Sequence, residues 1–384
     1  MVESVRRGVP MRAVARAHQV SLSTVQRWVN RTSEERLDRA TWEDRPSGCR
    51  PAANRVSPDL EELVLRLRRT LQETSDLGEY GAQAIHRELE GLLEPAVPSV
   101  RTIGRILERR GALDGLRRLR WPAPPRGWYL PPVAQGVAEL DRFDIVTGLV
   151  IRGGTDVEIL TTISLHGGLP AAWPRGEITA KMAVEALVEH WASVGRPAYA
   201  QFDNDSRFRG THKHPDSIGR VARICLSLDV VPVFVPPRET GFQAAIENFN
   251  GRWQSKVWAR FEHPSLPALQ TQSAKYIEAL RRRSAARRAA APPRRPLPVG
   301  WTLDLQRPLE GRMVFLCRTN DHGEAHILGR AYPVAPTWVH RLVRAELDLA
   351  AGRIAFHAFR RRDPGQHPLL HTAPYRVPHK PFVE

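Results

Sequence analysis

Two proline-rich stretches, RWPAPPRGWYLPP (120–132) and APPRRPLP (291–298), cut the 384-residue chain into three parts. Proline cannot donate to a hydrogen-bond ladder and clashes inside a helix, so neither stretch can be the interior of a regular element. Both read as linkers or extended connections. A chain of this length also exceeds one ordinary core, and two to four domains are expected.

The first part is helical in pattern. PMRAVARAHQVSLSTVQRWVNR splits into two short helices, with Val14 and Ala17 on one face of the first and Val20 at the turn. Ser21 or Ser23 can cap the second, whose apolar stripe is Val25, Trp28 and Val29. Two short helices joined by a tight turn form a helix-turn-helix. Its second helix would expose Thr24, Gln26, Arg27 and Arg31 to a major groove. A second copy follows: an amphipathic helix capped by Ser57, then YGAQAIHRELEG and PSVRTIGRILERRG, with Ser99 as cap and Gly111 as stop. On that last helix Arg101, Thr102 and Arg105 would face outward.

The charge balance supports this reading. Lysine and arginine number 57 against 41 acids, a net charge of +16, which favours a polyanionic partner, nucleic acid above all. Cys49, Cys225 and Cys317 are far apart and form no CxxC pair, which argues against a disulfide framework or a cysteine zinc site. No stretch approaches the roughly 20 apolar residues of a membrane helix, and no signal-peptide core is visible at the N-terminus. The expectation is a soluble protein of the cytoplasm.

The middle part alternates strands and helices. AELDRFDIVTGLVI, VEILTTISLHGG and GLPAAWP read as three neighbouring strands. A helix from 177, a strand AYAQFD, a helix ending SLDV, a strand VVPVFVPP and a long helix from 241 follow. Three antiparallel strands and then helix-separated strands are the ribonuclease-H-like order, a mixed α/β sheet. The tail from 300 returns to short strands separated by turn signals such as NDHGE, which suggests a small β-barrel. The expected domains are thus helix-turn-helix units over 1–45 and 46–118, a linker over 119–135, an α/β core over 136–290 and a barrel over 291–384. RRRSAARRAAAPPRR, before the barrel, reads either as a solvated helix face or as a phosphate-tracking strip.

Three acids stand at telling places. Asp141 lies in the first strand, Asp203 at the end of the fourth, and Glu247 on the flank of the long helix's apolar stripe Ile246, Phe249, Trp253, Val257. Asp144, three residues after Asp141, competes with it. Clustered carboxylates repel and raise one another's pKa, which a divalent cation relieves. Hard oxygen donors without Cys or His favour Mg²⁺ or Mn²⁺, and two such ions clamp both oxygens of a phosphodiester displacement. Arg252 and Lys256 on the same helix are candidate phosphate contacts.

AELDRFD, QFDNDSRF and PPRETGFQAAIENFNGRWQSKV resemble the integrase core of Asp-Asp-Glu transposases and retroviral-type integrases. The four-part order resembles bacterial insertion-sequence and Mu-type transposases, which implies a bacterial, nucleoid-associated protein. The resemblance implies that Asp141, Asp203 and Glu247 hold the catalytic metals. It also implies binding of terminal inverted repeats, DNA cleavage, attack of the freed 3′ hydroxyl on target DNA, and a homo-oligomer on DNA; an ATPase helper stays open. Two rivals are a non-catalytic DNA-binding regulator and a ribonuclease-H-like nuclease. Where the family often has Asp-Asn-Gly, this chain has Asp203-Asn204-Asp205, so the turn must form without its glycine.

Overall fold

The computed structural model describes residues 1–43, 56–92, 97–113, 126–210, 215–236, 239, 241–360, 365–377 and 382. It divides into two compact units, Met1–Leu60 and Glu61–Glu384. In the first, α1 (Val2–Arg6), α2 (Met11–Ala17) and α3 (Leu22–Arg31) enclose a small core around Val14, Ala15 and Val25. The Ser21 hydroxyl caps α3 by accepting from the Thr24 amide at 3.1 Å.

The second helical group repeats this build. After α4 (Pro58–Thr74) come α5 (Ala82–Glu90) and α6 (Val100–Arg109). Ile85, Leu89, Ile103, Ile106 and Leu107 are buried, and the Ser99 hydroxyl accepts from the Thr102 amide at 3.3 Å. The two caps share the pattern Ser-x-x-Thr, so α3 and α6 begin in the same way.

The linker expected over 119–135 lies partly outside the described residues, and from 126 onward it is core rather than linker. Trp128, Tyr129 and Leu130 are buried ahead of a short α7 (Pro131–Ala134), and Trp128 stacks on Phe242 at 5.8 Å. Then come β1 (Leu140–Ile151), β2 (Thr155–Ser164), β3 (Pro170–Arg175), α8 (Ala180–Val194), β4 (Tyr199–Phe202), α9 (Ser206–Arg209), α10 (Arg220–Ser227) and β5 (Val231–Phe234). α11 (Ala244–Trp253) runs into a π-helical turn, Gln254–Trp258, and α12 (Leu266–Arg283) and α13 (Ala285–Ala289) follow. β1 pairs antiparallel with β2 and parallel with β4, and β4 pairs parallel with β5, the expected ribonuclease-H-like arrangement.

The tail departs from expectation. Among the described residues its strands do not close a separate barrel. β6 (Arg312–Arg318) pairs parallel with β5, and β9 (Leu342–Asp348), β10 (Arg353–Ala358) and β11 (Leu369–Pro374) continue outward from it. The result is one nine-stranded sheet, β11-β10-β9-β6-β5-β4-β1-β2-β3, with β7 (Glu324–Ile327) and β8 (Arg330–Pro333) as a separate hairpin. The reason is physical: without β6, β5 would present an unpaired apolar edge. Phe234 of β5 instead stacks on Phe315 of β6 at 5.4 Å, inside one continuous core.

Strand alternation sorts β1 between the two faces of the sheet. Phe143 packs with Trp191 and Phe202 beneath α8, whereas Val146 packs with Ile246, Phe249, Trp253 and Val257 of the α11 layer. Those four residues are fully buried, each worth about 1.5–3 kcal/mol of transfer free energy. That layer carries Glu247.

Candidate active site

On β1, Asp144 lies on the same face as Val146, which packs in the α11 layer. The Asn250 side-chain amide on α11 donates to Asp144 Oδ2 at 2.7 Å, and the Thr161 hydroxyl donates to Asn250 Oδ1 at 2.8 Å. Thr161 is the β2 residue opposite Asp144 in the ladder. One turn of helix before Asn250 stands Glu247, exposed at the start of α11.

Asp203 follows the last residue of β4, the strand beside β1. Its Oδ1 accepts from the Asp205 backbone amide at 3.0 Å, and the Asn204 side-chain amide donates to Val235 O at 2.9 Å. Asp205 has φ −59°, an ordinary backbone for any L-residue, so this turn needs no glycine. Its carboxylate caps α9, accepting from the Arg207 amide at 2.8 Å, and pairs with the Arg207 guanidinium at 2.7 Å. Arg207 also reaches Glu158 at 3.0 Å, which fastens the turn to β2.

The electrostatics link Asp144 to two other acids. Asp144 is pushed up to about 6, first by burial, then by the charge of Asp203, with Glu247 adding to it; the Ile145 amide and Asn250 oppose the shift. Burial also raises Asp203, with the charge of Asp205 adding to it. Asp144 therefore feels both Asp203 and Glu247. Among the described residues no three His, Cys, Asp or Glu side chains stand close enough to close around a metal ion.

Asp141 lies elsewhere, a correction to the expected triad. It is fully buried on the opposite face of β1. The Arg294 guanidinium forks onto it at 2.8 and 2.6 Å, and the Trp191 indole N–H donates to Oδ2 at 3.0 Å. Arg294 holds the Asp141 carboxyl below its usual range, against the opposing effect of burial. His190, 4.0 Å away, is kept neutral, its pKa lowered to about 3 by burial. Both oxygens of Asp141 are consumed in holding the 291–298 stretch against the core. Parity along β1 was the signal: Asp141 and Asp144 are three apart, so they face opposite ways.

The expected DNA contacts divide. Gln26 and Arg27 on α3 and Arg101 and Arg105 on α6 are exposed. Thr24 and Thr102 are half-buried and engaged with the capping serines. Arg31 lies over the Trp28 ring at 4.8 Å and donates to Glu43 O at 2.8 Å. Arg252 is exposed, but Lys256 donates to Gly78 O at 3.0 Å. In the arginine-rich run, Arg281 donates to Pro170 O and Arg287 to Leu165 O, at 2.9 and 2.6 Å, so part of it fastens α12 and α13 to the sheet.

Family models described as Homeodomain-like domains match residues 1–41 and 24–107. Among solved structures, the HTLV-2 integrase catalytic core domain in complex with magnesium is 13% identical, covering 41% of this chain and 87% of that one, at a TM-score of 0.28. A simian T-cell lymphotropic virus intasome in complex with PP2A regulatory subunit B56 gamma gives 15%, 72%, 88% and 0.33 on the same measures. The BIV integrase catalytic core domain gives 15%, 37%, 80% and 0.27. No curated protein matches. Homeodomain-like helices thus stand ahead of a mixed sheet in ribonuclease-H-like strand order.

Proposed function

We propose that the protein is a DNA transposase whose catalytic carboxylates are Asp144, Asp203 and Glu247. The observation that carries this reading is the Asn250–Asp144 bond, which ties the helix of Glu247 to β1 beside the end of β4. Three acids from three elements then share one sheet end, although their mutual repulsion is unfavourable.

In chemistry, though not in their present spacing, the donors suit divalent Mg²⁺ or Mn²⁺: all oxygen, two carboxyls raised by burial and like charge, and no thiol or imidazole among them. A pair of such ions supplies charge neutralisation at the attacking and leaving oxygens of a phosphodiester. The chain's own residues do the rest. Asn250 and Thr161 fix the Asp144 carboxylate, and the Asp205 amide fixes Asp203. Gln26, Arg27, Arg101 and Arg105 hold the DNA, the arginines through phosphates or guanine edges. Terminal inverted repeats would be the sites read, with the reaction ending in 3′-hydroxyl attack on target DNA by a multimer bridging two ends.

The test is an Mg²⁺-dependent assay of nicking and strand transfer on DNA carrying the repeats that flank the reading frame. Asp203→Asn should abolish both while leaving end binding intact. Binding without cleavage by the wild type would indicate a regulator. Cleavage without strand transfer would indicate a nuclease.

A further inference from the structure

The turn between α4 and α5, Ser75-Asp76-Leu77-Gly78-Glu79-Tyr80, is pinned to the catalytic core at every step. Arg260 donates to Ser75 O at 2.6 Å and to Gln72 O and Glu73 O at 3.3 Å each, so a core cation satisfies the free carbonyls at the end of α4. Lys256 donates to Gly78 O at 3.0 Å and lies 5.7 Å over the Tyr80 ring. Glu79 pairs with Arg283 of α12 and, at 3.0 Å, with Arg87 of α5. Leu77 packs against the core group that contains Trp253, Val257 and Tyr276.

Gly78 shows how close the fit is. Its φ is +58°, and a Cβ there would stand 3.0 Å from Lys256 Cδ and 3.1 Å from an Arg260 nitrogen. Both cations come from the π-helical turn and the residues just beyond it, in direct continuation of α11. The compact units agree: Glu61–Glu384 is one body that includes α5 and α6, and Met1–Leu60 is another.

We propose that residues 75–80 are a latch that fixes the second helix-turn-helix to the catalytic core, and so sets the distance between the bases read by α6 and the phosphate that is cut. This inference rests on the transposase reading for its DNA consequence, but the latch itself does not depend on it.

Two variants open the latch by different routes: Leu77→Ser with Arg260→Gln, and Gly78→Val alone. In a background carrying Cys49→Ser, Cys225→Ala and Cys317→Ala, spin labels are placed at Arg105→Cys on α6 and Glu185→Cys on α8, both exposed. The full-length chain should give one narrow distance distribution, and each latch variant a broad one, with helical content unchanged by circular dichroism. A broad distribution in the unaltered latch, or a narrow one in both variants, overturns the proposal. The DNA consequence is read on a duplex selected from a random pool for tight binding to the wild type. Wild type should cut it at one phosphate, and the variants should scatter cuts over several while binding within about threefold of wild type. Unchanged cutting positions in variants whose distances have broadened refute the measuring role. Failure of the wild type to cut at all refutes the transposase reading instead, and the distance measurement still decides the latch.

Discussion

Asn250 donates to Asp144 at 2.7 Å from the helix that carries Glu247 one turn earlier, so a single amide holds two elements of the carboxylate cluster in register. Removing it leaves the acids in the chain but frees Asp144 to rotate. Asn250→Ala should lower metal-dependent cleavage by about 10- to 100-fold, the usual cost of losing a group that orients a metal ligand. Metal titration of the rate should show a weaker apparent Mg²⁺ affinity, whereas binding to end DNA should not change.

Asp141 and Asp144 separate structure from chemistry. Asp144→Ala should abolish cleavage with the fold intact. Asp141→Ala should leave the half-buried Arg294 without its counter-charge and cost about 3 kcal/mol in urea unfolding. If Asp141→Ala were as stable as wild type and catalytically dead, the assignment would be reversed.

The pH dependence of stability carries a definite sign. The Asp144 pKa rises from 3.8 to about 6 on folding, so between those values the folded state binds more protons than the unfolded one. This group's contribution therefore falls as pH rises through that window. Asp144→Asn should gain in melting temperature relative to wild type between pH 4 and pH 7.5. Added Mn²⁺ should narrow the difference by stabilising only the wild type. An unchanged difference across the window would contradict the cluster.

The turn after β4 should not be improved by the glycine it lacks. Asp205→Gly removes a helix cap and the pairing with Arg207, and should lose up to about 1 kcal/mol of stability with no gain in cleavage rate. Faster cleavage by the glycine variant would show that Asp205 holds Asp203 badly.

On α6, Arg101→Ala and Arg105→Ala should each weaken DNA binding. If the lost contact is to phosphate, the slope of log affinity against log salt should flatten by about 0.9 per arginine. A loss confined to particular base pairs would instead assign that arginine to base reading.

The chain announces most of this fold. The apolar spacing 246, 249, 253, 257 places α11, and the alternation of strands and helices gives the order of the central sheet. Two features escape local pattern. Short strands after 300 look alike whether they pair among themselves or with β5, because the partner lies far away in sequence. Lys256 looks like a free cation until Gly78, 178 positions earlier, is seen to accept from it. Asp144 was within reach: counting parity along β1 against the face that α11 covers favours it over Asp141.

The pairing of β5 with β6 has a consequence for how the protein is made. Val233 meets Val314 and Phe234 meets Phe315 in a parallel ladder, so β5, beside the strand that Asp203 follows, stays open at its edge until residues beyond 318 have been synthesised. During translation the carboxylate cluster stands on an unfinished sheet, exposed to pairing with other nascent chains. A nascent chain cut short before β6 is thus expected to be not merely smaller but sticky.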